Sequence, residues 1–135
     1  MPVIDTCLVM AYLLNEPAAP QVLNLLEGGD LAAPDLLRIE VANALVTAVR
    51  RARITPAQAP PRCAMIARLP IRLHPCHQLT DRALAISLAY QRRPYDGMFV
   101  ALAEALDTHL LTLDLKLVQG LAGTPLAGRV RVLGE

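Results

Sequence analysis

Apolar residues recur along this chain with two different periods, which together predict alternating strands and helices. Short apolar or alternating runs at 2–4, 31–33, 71–74, 109–113 and 129–133 are typical of strands. Between them, apolar residues spaced three and four apart predict helices at 6–14, 18–26, 36–53, 55–69, 80–92, 97–106 and 115–121. This repeated alternation favours an α/β fold in which a mostly parallel central sheet is flanked by helices on both faces.

The chain is long enough for one domain with a substantial core. It has 135 residues, of which 54% are apolar and only 3% aromatic, so Leu, Ala, Val and Ile must fill the interior. No internal repeat, low-complexity tract or long linker interrupts the pattern, which favours a single domain over residues 1–135. Charged residues make up 19%, below the usual quarter, which suggests that a partner covers some apolar surface.

Charge and cysteine content narrow the functional classes. A net charge of +1 gives no global basic field, so any contact with RNA must depend on local patches. Three cysteines without regular spacing argue against a disulfide scaffold and favour a reducing cytoplasm. The N-terminal segment is not typical of a signal peptide, and no apolar run has the length of a membrane span, so we expect no membrane association.

Two carboxylates follow predicted strands, and two more lie on predicted helices. Asp5 ends the first strand and Asp114 the fourth, and the carboxyl ends of parallel strands share an edge where ligands gather. Glu40 lies early in the third predicted helix and Asp96 at the start of the sixth, both among apolar neighbours that make burial of a charge costly. Taken singly, such an acid is more often a helix cap or a solvated group. Other acids, Glu16 among them, are interpreted as turn or edge residues.

Four converging carboxylates would repel one another, and without a counter-ion some would hold protons at neutral pH. A hard divalent cation such as Mg²⁺ relieves this repulsion, prefers oxygen ligands and needs only one or two direct carboxylates. Such an ion lowers the pKa of a bound water, orients a scissile phosphate and offsets charge on the leaving oxygen. The four acids together therefore predict metal-dependent phosphodiester hydrolysis.

Five further polar residues are candidates for supporting this site. The hydroxyls of Thr6 and Thr112 lie close in sequence to proposed ligands and can orient a carboxylate or a water, although Thr6 can equally cap a helix and Thr112 be an ordinary strand residue. Asn43 lies one helical turn after the glutamate and shares its face, unless it is simply solvated. Arg92 and Arg93 can contact RNA phosphates, or serve only as basic residues at a helix C-terminus.

The segments around the four acids resemble the motifs of the PIN-domain family, and within it those of the VapC-type toxins of bacterial toxin–antitoxin pairs. These segments are 3–6, 37–45, 95–103 and 111–114, and they stand in the family's order over nearly the whole chain. The resemblance implies a PIN-like three-layer α/β/α sandwich, Mg²⁺- or Mn²⁺-dependent endoribonuclease activity, an antitoxin partner and a homodimer. It assigns catalysis and metal binding to the same four acids, Asp5, Glu40, Asp96 and Asp114.

The chain departs from the pattern of these toxins at a few positions, none of them a carboxylate. Gly97 stands where such toxins commonly carry alanine, Cys7 replaces a small or aliphatic residue, and Leu115 and Lys116 replace a more charged pair. Two alternatives remain. One is a non-catalytic PIN-fold module that binds RNA or protein; the other is a phosphoryl-handling α/β domain, which fits poorly because no second Asp follows Asp5 in an Asp-x-Asp motif.

Overall fold

Five short parallel strands form one sheet, in the order β3-β2-β1-β4-β5. The computed structural model describes residues 1–134. The strands are, in chain order, β1 (Val3–Ile4), β2 (Leu31–Pro34), β3 (Ile71–His74), β4 (Leu110–Thr112) and β5 (Val130–Val132). Every pairing of neighbouring strands is parallel, so the sheet expected to be mostly parallel is parallel throughout the described residues.

Seven α-helices accompany this sheet within residues 1–134. They are α1 (Thr6–Leu13), α2 (Ala19–Gly28), α3 (Leu36–Arg50), α4 (Ala59–Met65), α5 (Thr80–Tyr90), α6 (Pro94–Ala105) and α7 (Leu115–Leu121). The result is a three-layer α/β/α sandwich, which confirms the expected fold class. All residues of β1 and β2 are buried, as central strands covered on both faces must be. Among residues 1–134, none of the helices combines the length and the apolar character that spanning a bilayer requires.

Two helices end earlier than their apolar pattern predicts. The helix expected to reach residue 53 stops at Arg50, and Ala52 then adopts a left-handed conformation with φ 58°. The helix expected to reach residue 92 stops at Tyr90, and Gln91 is left-handed with φ 55°. A left-handed residue ends a right-handed helix, but neither residue is the glycine or asparagine that usually marks such a stop.

Prolines set where two of the helices begin. The helix expected at 55–69, with Pro60 and Pro61 as an expected break or delay, is divided into a 3₁₀ turn at Pro56–Gln58, α4, and a second 3₁₀ turn at Ile66–Arg68. Pro60 and Pro61 lie in the first turn of α4. The helix expected to begin at residue 97 begins at Pro94, because proline suits a first turn in which the missing N–H needs no partner. Asp96 therefore lies inside the first turn of α6, and Arg93 rather than Asp96 holds the cap position.

The strand pairing brings two of the candidate acids to one edge of the sheet. Val3 pairs with Leu110 and Ile4 with Leu111, so β1 and β4 run side by side in the same direction. Asp5 directly follows β1, and Asp114 comes two residues after the end of β4. Both acids therefore stand at the carboxyl edge of the sheet.

Helices α5 and α6 pack closely at a point that admits only glycine without adjustment. A Cβ added to Gly97 would lie 2.8 Å from the carbonyl oxygen of Ala83 and 3.1 Å from Oγ of Ser87. That hydroxyl already donates a 2.8 Å hydrogen bond to the same carbonyl, so it is not free to move away. Because Gly97 follows Asp96, the contact also fixes where the first turn of α6 sits.

We expect Gly97→Ala to lower the free energy of unfolding by about 1–3 kcal/mol, the usual cost of forcing a methyl group into a packed site. Gly28→Ala is the matched control, since an added Cβ there meets no atom within 4 Å in the described residues. Chemical denaturation of both variants measures the difference. Equal stability of the two variants would show that α5 and α6 separate at little cost.

Candidate active site

The four predicted acids line one cleft at the carboxyl edge of the sheet, with a volume of about 500 Å³. Asp5 comes from the end of β1, Glu40 from α3, Asp96 from the first turn of α6, and Asp114 from the turn after β4. Apolar side chains complete the lining: Met10, Ala44, Phe99, Leu110, Leu113 and Leu117. The structure thus brings together carboxylates that are separated by up to 109 positions, from residue 5 to residue 114.

The carboxylate of Asp5 is held by three hydrogen-bond donors. The hydroxyl of Thr112 donates to Oδ2, while the thiol of Cys7 donates to Oδ1 at 2.8 Å and the backbone N–H of Leu8 donates to the same atom at 3.2 Å. The bond from Leu8 makes Asp5 the N-cap of α1, so the cap interpretation and the functional one describe the same residue. Thr112 is completely buried, so its hydroxyl donates a hydrogen bond to this carboxylate and not to solvent.

Burial raises the pKa of Asp5 above its ordinary value, and the nearby charge of Asp114 raises it further. The hydrogen bonds from Cys7, Thr112 and the N–H of Leu8 act in the opposite direction because they favour the ionised form. Burial, followed by the charge of Asp5, raises the pKa of the Cys7 thiol to about 12. Cys7 is therefore a protonated hydrogen-bond donor in the cleft, and not a thiolate.

Glu40 and Asp114 are each fixed by a contact with a neighbouring element. The hydroxyl of Thr6 donates to Oε1 of Glu40 at 2.7 Å, which ties α1 to α3. Asp114 is the N-cap of α7, where its Oδ1 accepts from the backbone N–H groups of Lys116 at 3.0 Å and Leu117 at 3.2 Å. Thr6 thus has the supporting contact that the sequence suggested.

The other supporting candidates have different positions. Asn43 lines a neighbouring groove with Glu16 and Arg53, and its proposed role in orienting Glu40 stays a prediction. Arg93 lines the cleft, with a guanidinium nitrogen 3.6 Å from Oδ1 of Asp96.

Arg92, in contrast to its neighbour, is not among the residues that line the cleft. Its guanidinium lies next to Gly120, where an added Cβ would come within 3.0 Å of it, and donates to the backbone carbonyls of Tyr90 and Lys116, both at 3.4 Å. These contacts connect the end of α5 with the start of α7. They favour a structural role for Arg92 and leave Arg93 as the one of the two arginines that lines the cleft.

Sequence reasoning missed two residues of the cleft, Glu16 and Cys7. Glu16 lies in the turn after α1 and lines the cleft, while its Oε2 accepts from the guanidinium of Arg53 at 2.7 Å. An acid between Asn15 and Pro17 is indistinguishable in sequence from an ordinary turn residue. Cys7 attracted notice only as a departure from the motif, although its position two residues after Asp5 was the available signal.

The chemistry of the donor set fits a hard divalent cation that keeps most of its water. All four predicted ligands are carboxylates, and Asp5 and Asp114 are close enough for the charge of one to raise the pKa of the other. Within residues 1–134, however, no three His, Cys, Asp or Glu side chains are arranged so that they could together hold an ion. Since Mg²⁺ retains several waters, one or two direct carboxylates suffice and the remaining acids can act through water.

A family model for the PIN domain matches residues 3–119. The chain is 32% identical to Ribonuclease VapC12 of Mycobacterium tuberculosis over 119 residues, which cover 88% of this chain and 91% of that protein. It is 33% identical to Ribonuclease VapC9 of the same organism over 117 residues, covering 87% and 88% of the two chains.

Two solved structures share the fold at lower sequence identity. PAE2754 from Pyrobaculum aerophilum superposes with a TM-score of 0.69 at 21% identity, covering 90% of this chain and 80% of that one. A toxin–antitoxin complex from Klebsiella pneumoniae includes a chain that superposes with a TM-score of 0.62 at 19% identity, covering 97% and 96%. At these identities the two structures support the fold alone.

The raised pKa of Asp5 predicts a specific dependence of stability on pH in protein stripped of metal. A carboxyl whose folded pKa exceeds its unfolded value favours folding at low pH, and this contribution is lost as pH rises through the folded pKa. Asp5→Asn removes the titrating group. The free energy of unfolding of this variant, relative to that of wild type, should therefore increase as pH rises. The slope should reach at most ~1.4 kcal/mol per pH unit, the value for one proton.

Urea denaturation of both proteins between pH 4 and pH 8 measures this difference. Asp35→Asn is the control, because a hydrogen bond from Cys76 lowers the pKa of that exposed carboxyl. The contribution of such a group is complete above its unfolded pKa, so the difference between Asp35→Asn and wild type should stay nearly constant over this range of pH. A difference between Asp5→Asn and wild type that stays constant with pH would contradict the raised pKa.

Proposed function

Because this chain belongs to the PIN-domain family, and within it to the VapC type, we propose that it is a single-domain endoribonuclease that depends on Mg²⁺ or Mn²⁺. The relatives that match over most of the chain are named ribonucleases. The observation that carries the proposal is the convergence of four carboxylates, from four separate segments, on one cleft. A structural role as helix cap accounts for Asp5 and Asp114, but it explains neither Glu40 nor Asp96.

The proposed division of work follows from the contacts of each side chain. Among Asp5, Glu40, Asp96 and Asp114, one or two carboxylates would bind the cation directly and the others through water. When bound, the cation would supply an activated water and offset charge on the leaving oxygen. Thr112 and Cys7 keep the carboxylate of Asp5 in one orientation, and Thr6 does the same for Glu40.

We propose that Arg93 is the residue of this site that contacts the substrate phosphate. It is largely exposed and lies 3.6 Å from Asp96, a loose ion pair. An exposed pair at this distance is weak, so the guanidinium can turn to an RNA phosphate at little cost.

Cleavage of a mixed RNA preparation in the presence of Mg²⁺ or Mn²⁺ tests the proposal. We expect activity to vanish with EDTA, and to fall roughly a hundred-fold or more in Asp5→Asn and Asp96→Asn, as when a preorganised charge is removed from an active site. Asp81→Asn is the matched control, since Asp81 is an exposed acid on α5, outside the cleft.

The same assay separates the alternatives. RNA bound but not cleaved by folded wild-type protein would favour a non-catalytic PIN-fold module. Hydrolysis of a small phosphomonoester, with RNA left intact, would favour the phosphoryl-handling domain.

We also propose two protein partners, a cognate antitoxin and a second copy of this chain. Five acids and one arginine line the cleft within the described residues, so an antitoxin segment with a basic side chain would fit it. The charge-poor surface and exposed side chains such as Leu84 and Leu88 favour a homodimer. With three free cysteines, the chain is proposed to work in the cytoplasm.

Co-expression with a short protein encoded next to it is expected to yield a complex that cleaves RNA poorly. Sedimentation of the purified chain at micromolar concentration should give the mass of a dimer. Full activity in the complex would contradict the antitoxin, and a monomer mass would contradict the dimer.

A further inference from the structure

One of the four aromatic rings in this chain is largely exposed, and it lies beside the cleft. The sequence contains three tyrosines and one phenylalanine. Phe99 is buried, while Tyr12 and Tyr90 are partly buried and pack against the core. Tyr95 is 54% exposed, although nothing in the described fold requires an aromatic ring in the first turn of a helix.

Helix geometry places Tyr95 at the mouth of the cleft. It lies between Arg93 and Asp96, both of which line the cleft, and four residues before Phe99, which also lines it. Residues four apart share a helix face. Tyr95 therefore lies on the same face of α6 as Phe99, one turn earlier and toward the outside of the cleft. Gly97, in contrast, faces α5, which leaves Tyr95 on the side of α6 away from that helix.

The charge of the cleft indicates a role for this ring in binding RNA. Five carboxylates and one arginine line the cleft within residues 1–134, so phosphate contacts alone cannot account for much affinity toward RNA. A contact that does not depend on charge is therefore needed. Stacking of a nucleobase on an exposed aromatic ring is such a contact, and it requires an unpaired base.

We propose that Tyr95 stacks on a base next to the scissile phosphate and so positions the RNA strand in the cleft. The inference depends on the proposed ribonuclease function and adds a positioning residue to it. Tyr95 positions the strand, Arg93 contacts a phosphate on the adjoining turn, and Asp96, the residue after Tyr95, lies at the reacting centre.

Steady-state cleavage of an unstructured RNA oligonucleotide tests this role. We expect Tyr95→Ala to raise KM roughly ten-fold, within the usual range for loss of one base–aromatic stack, with a smaller change in kcat. Tyr95→Phe should stay within about two-fold of wild type, because stacking needs the ring and not the hydroxyl. Leu23→Ala is the matched control, since it removes an apolar side chain that is 41% exposed on α2, which contributes no residue to the described cleft lining.

Substrates with one abasic nucleotide near the cleavage site identify the stacked base. Wild type should lose affinity at one abasic position, whereas Tyr95→Ala should lose nothing further there. The same RNA in a duplex should be cleaved poorly by wild type. Equal KM for Tyr95→Ala and Leu23→Ala would overturn the inference, even if Tyr95→Ala weakened binding of an antitoxin.

A second readout does not require cleavage. The chain contains no tryptophan, so Tyr95→Trp introduces a single indole whose fluorescence a stacked base quenches. Titration with single-stranded RNA, with Ca²⁺ as the neutralising cation, should quench the indole, and RNA abasic at the identified position should not. Absence of quenching by the intact RNA would overturn the inference. Absence of cleavage by wild type would instead contradict the proposed function.

Discussion

Much of this structure depends on keeping one ionisable carboxylate, that of Asp5, inside the protein. An isolated buried carboxylate is strongly unfavourable, and two kinds of hydrogen-bond donor, side chains and a backbone N–H, partly compensate for the burial of Asp5. Thr112, Cys7 and the N-terminus of α1 donate hydrogen bonds, which favour the charged form. Burial and the charge of Asp114 still leave its pKa raised, so the protein alone does not fully compensate the charge.

Thr112 connects this carboxylate to the next one. Its hydroxyl donates to Asp5 and accepts a 3.0 Å hydrogen bond from the backbone N–H of Asp114. The parallel pairing of β1 with β4 is what places Thr112 within reach of Asp5, so the site inherits its geometry from the register of the sheet. A shift of one residue would turn Thr112 to the opposite face and separate the two acids.

The sequence predicted those parts of the site that follow from periodicity and topology. Asp5 and Asp114 were placed at one edge because strands that alternate with helices run parallel, and that rule needs no side-chain detail. Glu40 and Asp96 were candidates because their neighbours are apolar, and the resemblance to a family assigned them to the same site. Arg92 and Arg93 could not be told apart, because their directions depend on Gln91 leaving the helix in a left-handed conformation. The predicted ends of α3 and α5 were wrong for the same reason: the residues at 52 and 91 are not of a type that usually ends a helix.

The balance of charge in the cleft limits what can bind there. Glu16 adds a fifth carboxylate, but Arg53 already pairs with it, so its net effect on an approaching anion is smaller than that of the four acids. RNA is itself an anion, and it can approach those acids only where a cation or a charge-independent contact compensates the repulsion. For the antitoxin segment that we propose the situation is reversed, because its basic side chain would take the place of the cation. The same uncompensated carboxylates that favour a divalent ion thus also favour an inhibitor that excludes it.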